Sequence, residues 1–541
     1  MKKIIIFVFI LVLAIFLRFW NLAKVPPSPD WDEAAIGWNA YSILKTGKDE
    51  YGVKFPLTFR SFDDYKPPLY FYLTIPPIII FGVNLLAVRL ASAIFGVIGV
   101  IGVYFLIKIL FKKENLALLS MFFMAISPWH LQFSRIAFEA NVALAWEILG
   151  TVFFLKAMEK KKFLLFFSAL FFGLALYTYH SARVFVPFIV FLLTITYFKR
   201  LLEIKKTILF SGIIALIFIW PLIKIMTSTE GQMRLKGVSA FSDTINLLAK
   251  DSKKISQDLE TGNWWGSFVH NRRIRYVLRF LESYTTHFNI NWLFIDSEGD
   301  VQRHHVPDMG MLYFWELPFI IWGIYSLFFW PDRRPKLIIF SWWLLAPIAA
   351  SVSADVPHAV RTLCFLPSWH VFTALGCLAF IGWAQKIKNK STQVIIYFLV
   401  IGTFLANFTF YLHQYHVHQS IEYSRYWQYG YKQLFEELEK LEDKYEKIRI
   451  SIEAEQPYMF FLFYKKYDPV KYLEQGGSVS GGFWEEHKIG KYEFVRFNWE
   501  NEVKRDKIWW VVIDKELPGE AKIIKTIYLL NGEPMFHIFK I

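Results

Sequence analysis

The chain has 541 residues, 55% hydrophobic and 19% aromatic, with a mean hydropathy of +0.32. That much apolar surface, arranged in long blocks, excludes an ordinary soluble globular protein and points to a chain that crosses a membrane many times. The net charge of +14, from 60 Lys and Arg against 46 Asp and Glu, calls for no nucleic acid partner, because much of the basic excess sits in short loops between apolar segments.

Met1-Lys2-Lys3 opens an apolar run over 4–20. No small-residue cleavage site follows, and Phe16-Leu-Arg-Phe-Trp is a poor one, so a retained first helix is expected. In all, about eleven spans of roughly 17–25 mainly apolar residues are expected. They lie at 4–20, 84–111, 115–129, 138–158, 163–179, 184–198, 207–226, 313–330, 337–352, 362–384 and 393–412. The apolar segment 67–82 is broken by Pro67-Pro68 and Pro76-Pro77 and reads as a surface-lying or re-entrant helix. Cys364 and Cys377 share one predicted span and have no metal-type spacing.

Lys2-Lys3, Lys112-Lys113, Lys160 to Lys162, Lys199-Arg200 with Lys205-Lys206, Arg333-Arg334 with Lys336, and Lys386 to Lys390 all fall on one side of this arrangement. That side should be cytoplasmic, which puts the N-terminus in the cytoplasm of a multi-pass cell-membrane protein. The outer side then receives 21–83, 130–137, 180–183, 227–312, 353–361 and everything after 413. The fold class is therefore mainly α: a transmembrane helix bundle over 1–412, with a first outer loop at 21–83 and a large one at 227–312. Residues 420–541 read as a small extracytoplasmic α/β domain. There Ser424 to Lys447 forms an amphipathic helix, strands follow at Ile448–Ile452, Glu493–Phe497, Ile508–Ile513 and Met535–Phe539, and glycine pairs at 476–477 and 481–482 mark a loop.

The unusual polar groups collect on the outer side. They are Asp32-Glu33, Asp63-Asp64 with Lys66-Pro-Pro-Leu-Tyr70, Ser127-Pro-Trp-His130 through Arg135 and Glu139, Tyr177-Thr-Tyr-His180-Ser-Ala-Arg183, Arg303-His304-His305, and His358-Ala-Val-Arg361. Ionisable groups at membrane depth are costly and mark function by default. Lys66, Arg183 and Arg361 can neutralise a phosphate, Arg through a bidentate fork and Lys as a point charge. Asp32 can accept a proton from a hydroxyl. Trp31, Trp38, Tyr65 and Tyr70 suit an amphipathic ligand at headgroup level. A lipid-linked phosphosugar fits this set, since phosphate leaves readily once neutralised and the reaction needs one base with cations. Blander readings stand beside these. Asp32-Glu33 also fits the first turn of a helix, Asp63-Asp64 a turn, and Lys66 a side chain that snorkels to the headgroups. His180 and His358 fit hydrogen-bonding residues that position neighbours, and Arg303-His304-His305 with Asp308 lacks further metal-ligand spacing, so no metal or other cofactor is expected.

Asp32-Glu33 after the first span, Lys66-Pro-Pro-Leu-Tyr, Tyr179-His180-Ser-Ala-Arg183 and His358-Ala-Val-Arg361 together resemble membrane glycosyltransferases of the GT-C fold, in the protein O-mannosyltransferase and lipid A aminoarabinose transferase group. The resemblance covers about residues 1–412 in topology. It implies Asp32 as catalytic base, Glu33 as the neighbour that orients or tunes it, and Lys66 as a contact to the lipid phosphate. Arg183 and Arg361, with His180, His358 and Tyr70, are implied as phosphate or substrate contacts. It further implies a polyprenyl-phosphate-linked sugar donor, inversion at the anomeric centre, and a glycan, lipid or protein acceptor. The tail departs from the three-lobed outer insert of the eukaryotic protein mannosyltransferases. Two other readings are a non-enzymatic lipid or polysaccharide transporter and an O-antigen-type ligase, the latter left open by Arg272-Arg273-Ile-Arg275 with Arg279.

Overall fold

The computed structural model describes residues 1–159, 161–228, 231, 244–297, 301–500 and 507–541. Lys160 of the basic loops and parts of the expected large outer loop (229–230, 232–243 and 298–300) lie outside the described residues. In chain order the elements begin α1 (Lys2–Phe19), α2 (Trp31–Thr46), β1 (Phe59–Ser61), β2 (Asp64–Lys66), α3 (Leu69–Phe81), α4 (Leu85–Phe111), α5 (Glu114–Ile126), α6 (Pro128–Ser134), α7 (Glu139–Glu159), α8 (Leu164–Leu176) and α9 (Ala182–Thr196).

Among the described residues, five helices are long and apolar enough to cross a membrane: Leu85–Phe111, Glu139–Glu159, Lys205–Thr227, Leu363–Ala384 and Lys390–Glu422. In Lys205–Thr227 and Lys390–Glu422 only 11% and 6% of the apolar window is buried within the protein, so the exposed remainder needs a hydrocarbon solvent. The protein is therefore a multi-pass membrane protein. The expected count of about eleven spans is not reproduced by these helices. Several expected spans are shorter or broken. Residues 115–129 become α5 and α6, bent by 60° at Ser127-Pro128, while α8, α9 and Glu316–Phe328 run only 13, 15 and 13 residues. The first helix carries Lys2, Lys3 and Arg18 within its 18 residues. An apolar stretch records a preference for hydrocarbon, but the place where a helix breaks depends on local backbone chemistry such as the proline after Ser127. The segment 67–82 is the short apolar helix α3, with Pro76 and Pro77 inside it.

The chain divides into two compact units that do not follow chain order. One comprises Met1–Ile15, Val97–Gln132 and Ala143–Thr409; the other comprises Phe16–Gly96, Phe133–Val142 and Phe410–Ile541. In the first, the helices Glu316–Phe328 and Leu366–Ala384 pack backbone to backbone through glycine. A Cβ at Gly323 would lie 1.8 Å from the Phe372 carbonyl oxygen, and one at Gly376 1.9 Å from that of Phe319.

In the second unit, the strands β3 (Lys447–Ser451), β4 (His487–Ile489), β5 (Tyr492–Val495), β6 (Ile508–Val512), β7 (Lys522–Tyr528) and β8 (Pro534–Lys540) form one sheet in the order β4-β5-β3-β6-β8-β7. β3 is parallel to both β5 and β6, and its Ile448 and Ile450 are buried. The four expected strands are all present. The expected helix over Ser424–Lys447 shrinks to Tyr431–Lys440. Gly430, at φ 116°, stands at its N-terminal end, and Lys447 already pairs with Ile508 in the sheet, so the flanking backbone is committed elsewhere. The tail also folds onto residues 21–83. Trp38 Nε1 donates to the Tyr467 carbonyl at 3.1 Å and its ring meets Tyr472 edge-on at 5.1 Å.

Candidate active site

The site begins at the N-terminus of α2. Asp30 caps the helix by accepting the Glu33 N–H at 2.8 Å, so neither Asp32 nor Glu33 is the cap; both lie in the first turn. Consecutive helical residues point about 100° apart, and here they acquire different partners. Asp32 Oδ1 lies 2.5 Å from Lys66 Nζ, with side chains 28% and 11% exposed respectively. Glu33 is 1% exposed and takes a bidentate pair from Arg89 of α4, with Nε to Oε1 and Nη2 to Oε2 both at 2.8 Å. Its Oε1 also accepts the Ala137 N–H at 2.9 Å. The rest of the Arg89 fork donates to the carbonyls of Leu22, Pro26 and Ser28 at 3.1, 2.8 and 2.9 Å. All five guanidinium donors are thereby used, and the irregular segment leading into α2 is fastened to α4.

Lys66 is the last residue of the β1–β2 hairpin, paired with Phe59. Pro67-Pro68 ends the strand and α3 begins at Leu69. Tyr70 is buried and donates its hydroxyl to the Val88 carbonyl at 3.0 Å, one residue before Arg89. That bond ties α3 to α4; Trp38 is likewise buried in packing. Burial opposes the charge on Lys66, but the Asp32 carboxylate, followed by Glu139, outweighs burial and holds the ammonium above the ordinary lysine range. Glu139, in the first turn of α7 and 6% exposed, is thus a second acid acting on Lys66. In the sequence it closes the polar cluster that begins at Ser127, without an assigned role. Asp63 is a turn acid, at φ 65°, accepting the Phe483 N–H at 2.8 Å.

The tail reaches the same helix end. Gln428 Oε1 accepts the Trp31 N–H at 2.9 Å, and the Phe483 ring meets Trp31 edge-on at 5.5 Å. A further carboxylate, Glu50, accepts from Asn39 Nδ2, Tyr458 Oη and Ser478 Oγ at 2.9, 3.1 and 2.6 Å. Burial pushes it up to about 7 in spite of these bonds.

The remaining expected residues belong to the other unit. Arg183 donates through Nε to the Leu176 carbonyl at 3.1 Å and through Nη1 to His180 Nδ1 at 3.0 Å, while its buried Nη2 makes no hydrogen bond. The Arg361 N–H donates to His358 Nδ1 at 3.4 Å, and the buried Arg361 Nη1 also makes none. The His358 ring lies 5.1 Å from that of His304. Among the described residues, no three His, Cys, Asp or Glu side chains gather as a metal site.

Residues 65–224 match the family model described as dolichyl-phosphate-mannose-protein mannosyltransferase. No curated protein matches the chain. Among solved structures, ArnT from Cupriavidus metallidurans bound to undecaprenyl phosphate is similar, with a TM-score of 0.55 at 11% identity over 98% of this chain and 97% of that one. Its apo state matches over the same shares with a TM-score of 0.52. The Archaeoglobus fulgidus oligosaccharyltransferase in its apo form matches with a TM-score of 0.47 at 13% identity over 85% of this chain, which spans only 63% of that protein. The expected resemblance to membrane glycosyltransferases of the GT-C fold holds: the chain has the ArnT fold over nearly its full length.

Proposed function

We propose that the chain is a glycosyltransferase that moves a sugar from a polyprenyl-phosphate carrier to an acceptor hydroxyl or similar nucleophile at the outer membrane face, with inversion at the anomeric carbon. The observation that carries this reading is the Asp32–Lys66 pair at 2.5 Å. It sets a proton acceptor beside a largely buried cation. The ArnT-like fold and the partial mannosyltransferase match support the substrate class.

Asp32 takes the proton of the acceptor as its oxygen bonds to the anomeric carbon. The bond from that carbon to the carrier phosphate breaks, and its electron pair leaves on phosphate oxygen. Lys66 stabilises the charge that collects there, because a donor placed where charge develops is worth most in a dry site. Donor phosphate replaces Asp32 as the anion on Lys66 and frees the carboxylate for the acceptor. Within the other unit, Arg183 and Arg361, each with a buried N–H that lacks an acceptor, are our candidates for a phosphate or sugar contact, with His180 and His358 positioning them. Glu33 holds the turn that carries Asp32, and Tyr70 holds the helix that follows Lys66. The N-terminus is cytoplasmic and the tail outside, where it bounds the acceptor side of Asp32.

The test is turnover of a labelled polyprenyl-phosphate sugar by purified protein, wild type against Asp32→Asn. Donor binding without turnover supports the reading. Unchanged turnover removes Asp32 as the base, and vectorial lipid movement without glycosidic product favours a transporter.

A further inference from the structure

At the other end of α4 from Arg89, four lysines surround a cavity of about 680 Å³ that the reaction above does not use. Lys3 comes from the start of α1, Lys108 from the last turn of α4, and Lys112 and Lys113 from the link to α5. The first turn of α5, Glu114 to Leu116, completes the polar wall, with Trp330 and Leu378 as apolar lining. The volume is that of an ordinary small-molecule site.

Charge in this cavity is unbalanced. Glu114 is the one carboxylate among the lining residues, and it is already engaged by the Tyr104 hydroxyl and by Lys108 at 3.1 Å. Lys3, Lys112 and Lys113 remain as exposed residues lining one hollow. The N-terminus of α5 adds to them: Lys113 stands at the cap position without a side-chain cap, so first-turn N–H groups stay available to an anion. The apolar lining lies beside this charge, with Trp330 packed edge-on to Phe111 at 5.2 Å. The cavity sits at the end of a 27-residue apolar helix; a helix of that length spans the hydrocarbon core, so its end falls in the headgroup zone, where Trp is favoured.

We propose that this cavity is a binding site for the phosphodiester headgroup of an anionic phospholipid, held by Lys3, Lys112 and Lys113 with its glycerol end against Leu116, Trp330 and Leu378. A snorkelling lysine needs only water and headgroups at large. Lysines from two separate segments, the start of α1 and the α4–α5 link, lining one cavity with an apolar wall fit one bound molecule. The site is independent of the glycosyl-transfer reading.

Full-length protein in phosphatidylcholine nanodiscs containing phosphatidylglycerol tests it by native mass spectrometry of retained lipid. Wild type should keep one phosphatidylglycerol, and Lys3→Gln/Lys112→Gln/Lys113→Gln should lose it at least fivefold. A control that removes the same charge elsewhere, Lys386→Gln/Lys388→Gln/Lys390→Gln, should retain it. Equal loss in both variants would reduce the effect to diffuse charge and overturn the site, as would unchanged retention in the first. Inorganic phosphate is the other arm: displacement of the lipid by millimolar phosphate would assign the cavity to a free anion instead. Thermal unfolding of both variants, matched to wild type in phosphatidylcholine alone, verifies that folding is intact.

Discussion

Two ion pairs, one residue apart in the chain, behave as opposites. Glu33–Arg89 is sealed, bidentate and saturated with further hydrogen bonds, whereas Asp32–Lys66 is a single contact with its carboxylate 28% exposed. A sealed, fully used pair holds structure and cannot exchange partners. An open pair between a point-charge cation and a reachable carboxylate can trade its anion for a phosphate. Under the proposed function, the sealed pair is scaffold and the open pair supplies the reacting groups.

Asp32→Asn should separate the pairs most sharply, with turnover falling by roughly 10²–10⁴-fold, the usual worth of a general base, while the unfolding temperature stays close to wild type. Arg89→Ala should do the reverse. It strands the buried Glu33 carboxylate and should cost about 3–5 kcal/mol of stability, read as loss of folded protein on heating in detergent. If Arg89→Ala proved harmless and Asp32→Asn unfolded the chain, the assignment of roles would be inverted. Lys66→Met should weaken donor binding by roughly 1.5–3 kcal/mol, about 10- to 100-fold in KM, with a smaller change in stability.

Glu50 supplies the smallest and cleanest contrast, a buried acid satisfied by neutral donors rather than by a guanidinium. Its folded value is raised from 4.5 to about 7, so between those values the folded state keeps a proton that the unfolded chain has released. Stability should therefore fall as pH rises from about 4.5 to about 7, by about 1–3 kcal/mol from this group. Glu50→Gln should flatten that slope in urea unfolding monitored against pH. A slope unchanged by the substitution would show that Glu50 does not titrate in this range.

The legible part of the site was Asp32 and Lys66, because a carboxylate and a lysine next to apolar runs and a proline pair stand out against their surroundings. Arg89 was hidden for the opposite reason. It falls within the apolar run 84–111, and its partner is 56 residues away in the chain. Glu139 stood in a recognised polar cluster without a role, since its effect on Lys66 depends on where α7 starts in space. Tyr70 shared the Lys66 motif, but its bond to the Val88 carbonyl depends on where α4 passes in space, which no local motif carries.

By itself the sequence determined that the chain lives in a membrane, that its tail contains a sheet, and that acids and bases flank the apolar segments. Hydropathy and strand periodicity are local properties, summed over a few neighbouring residues. Only the tertiary structure decided which acid is sealed, which is open, where apolar stretches break into short helices, and that the tail packs against the helix bearing Asp32. Those outcomes depend on desolvation and on hydrogen-bond partners drawn from distant segments, and no window of the chain contains both halves of such a pair.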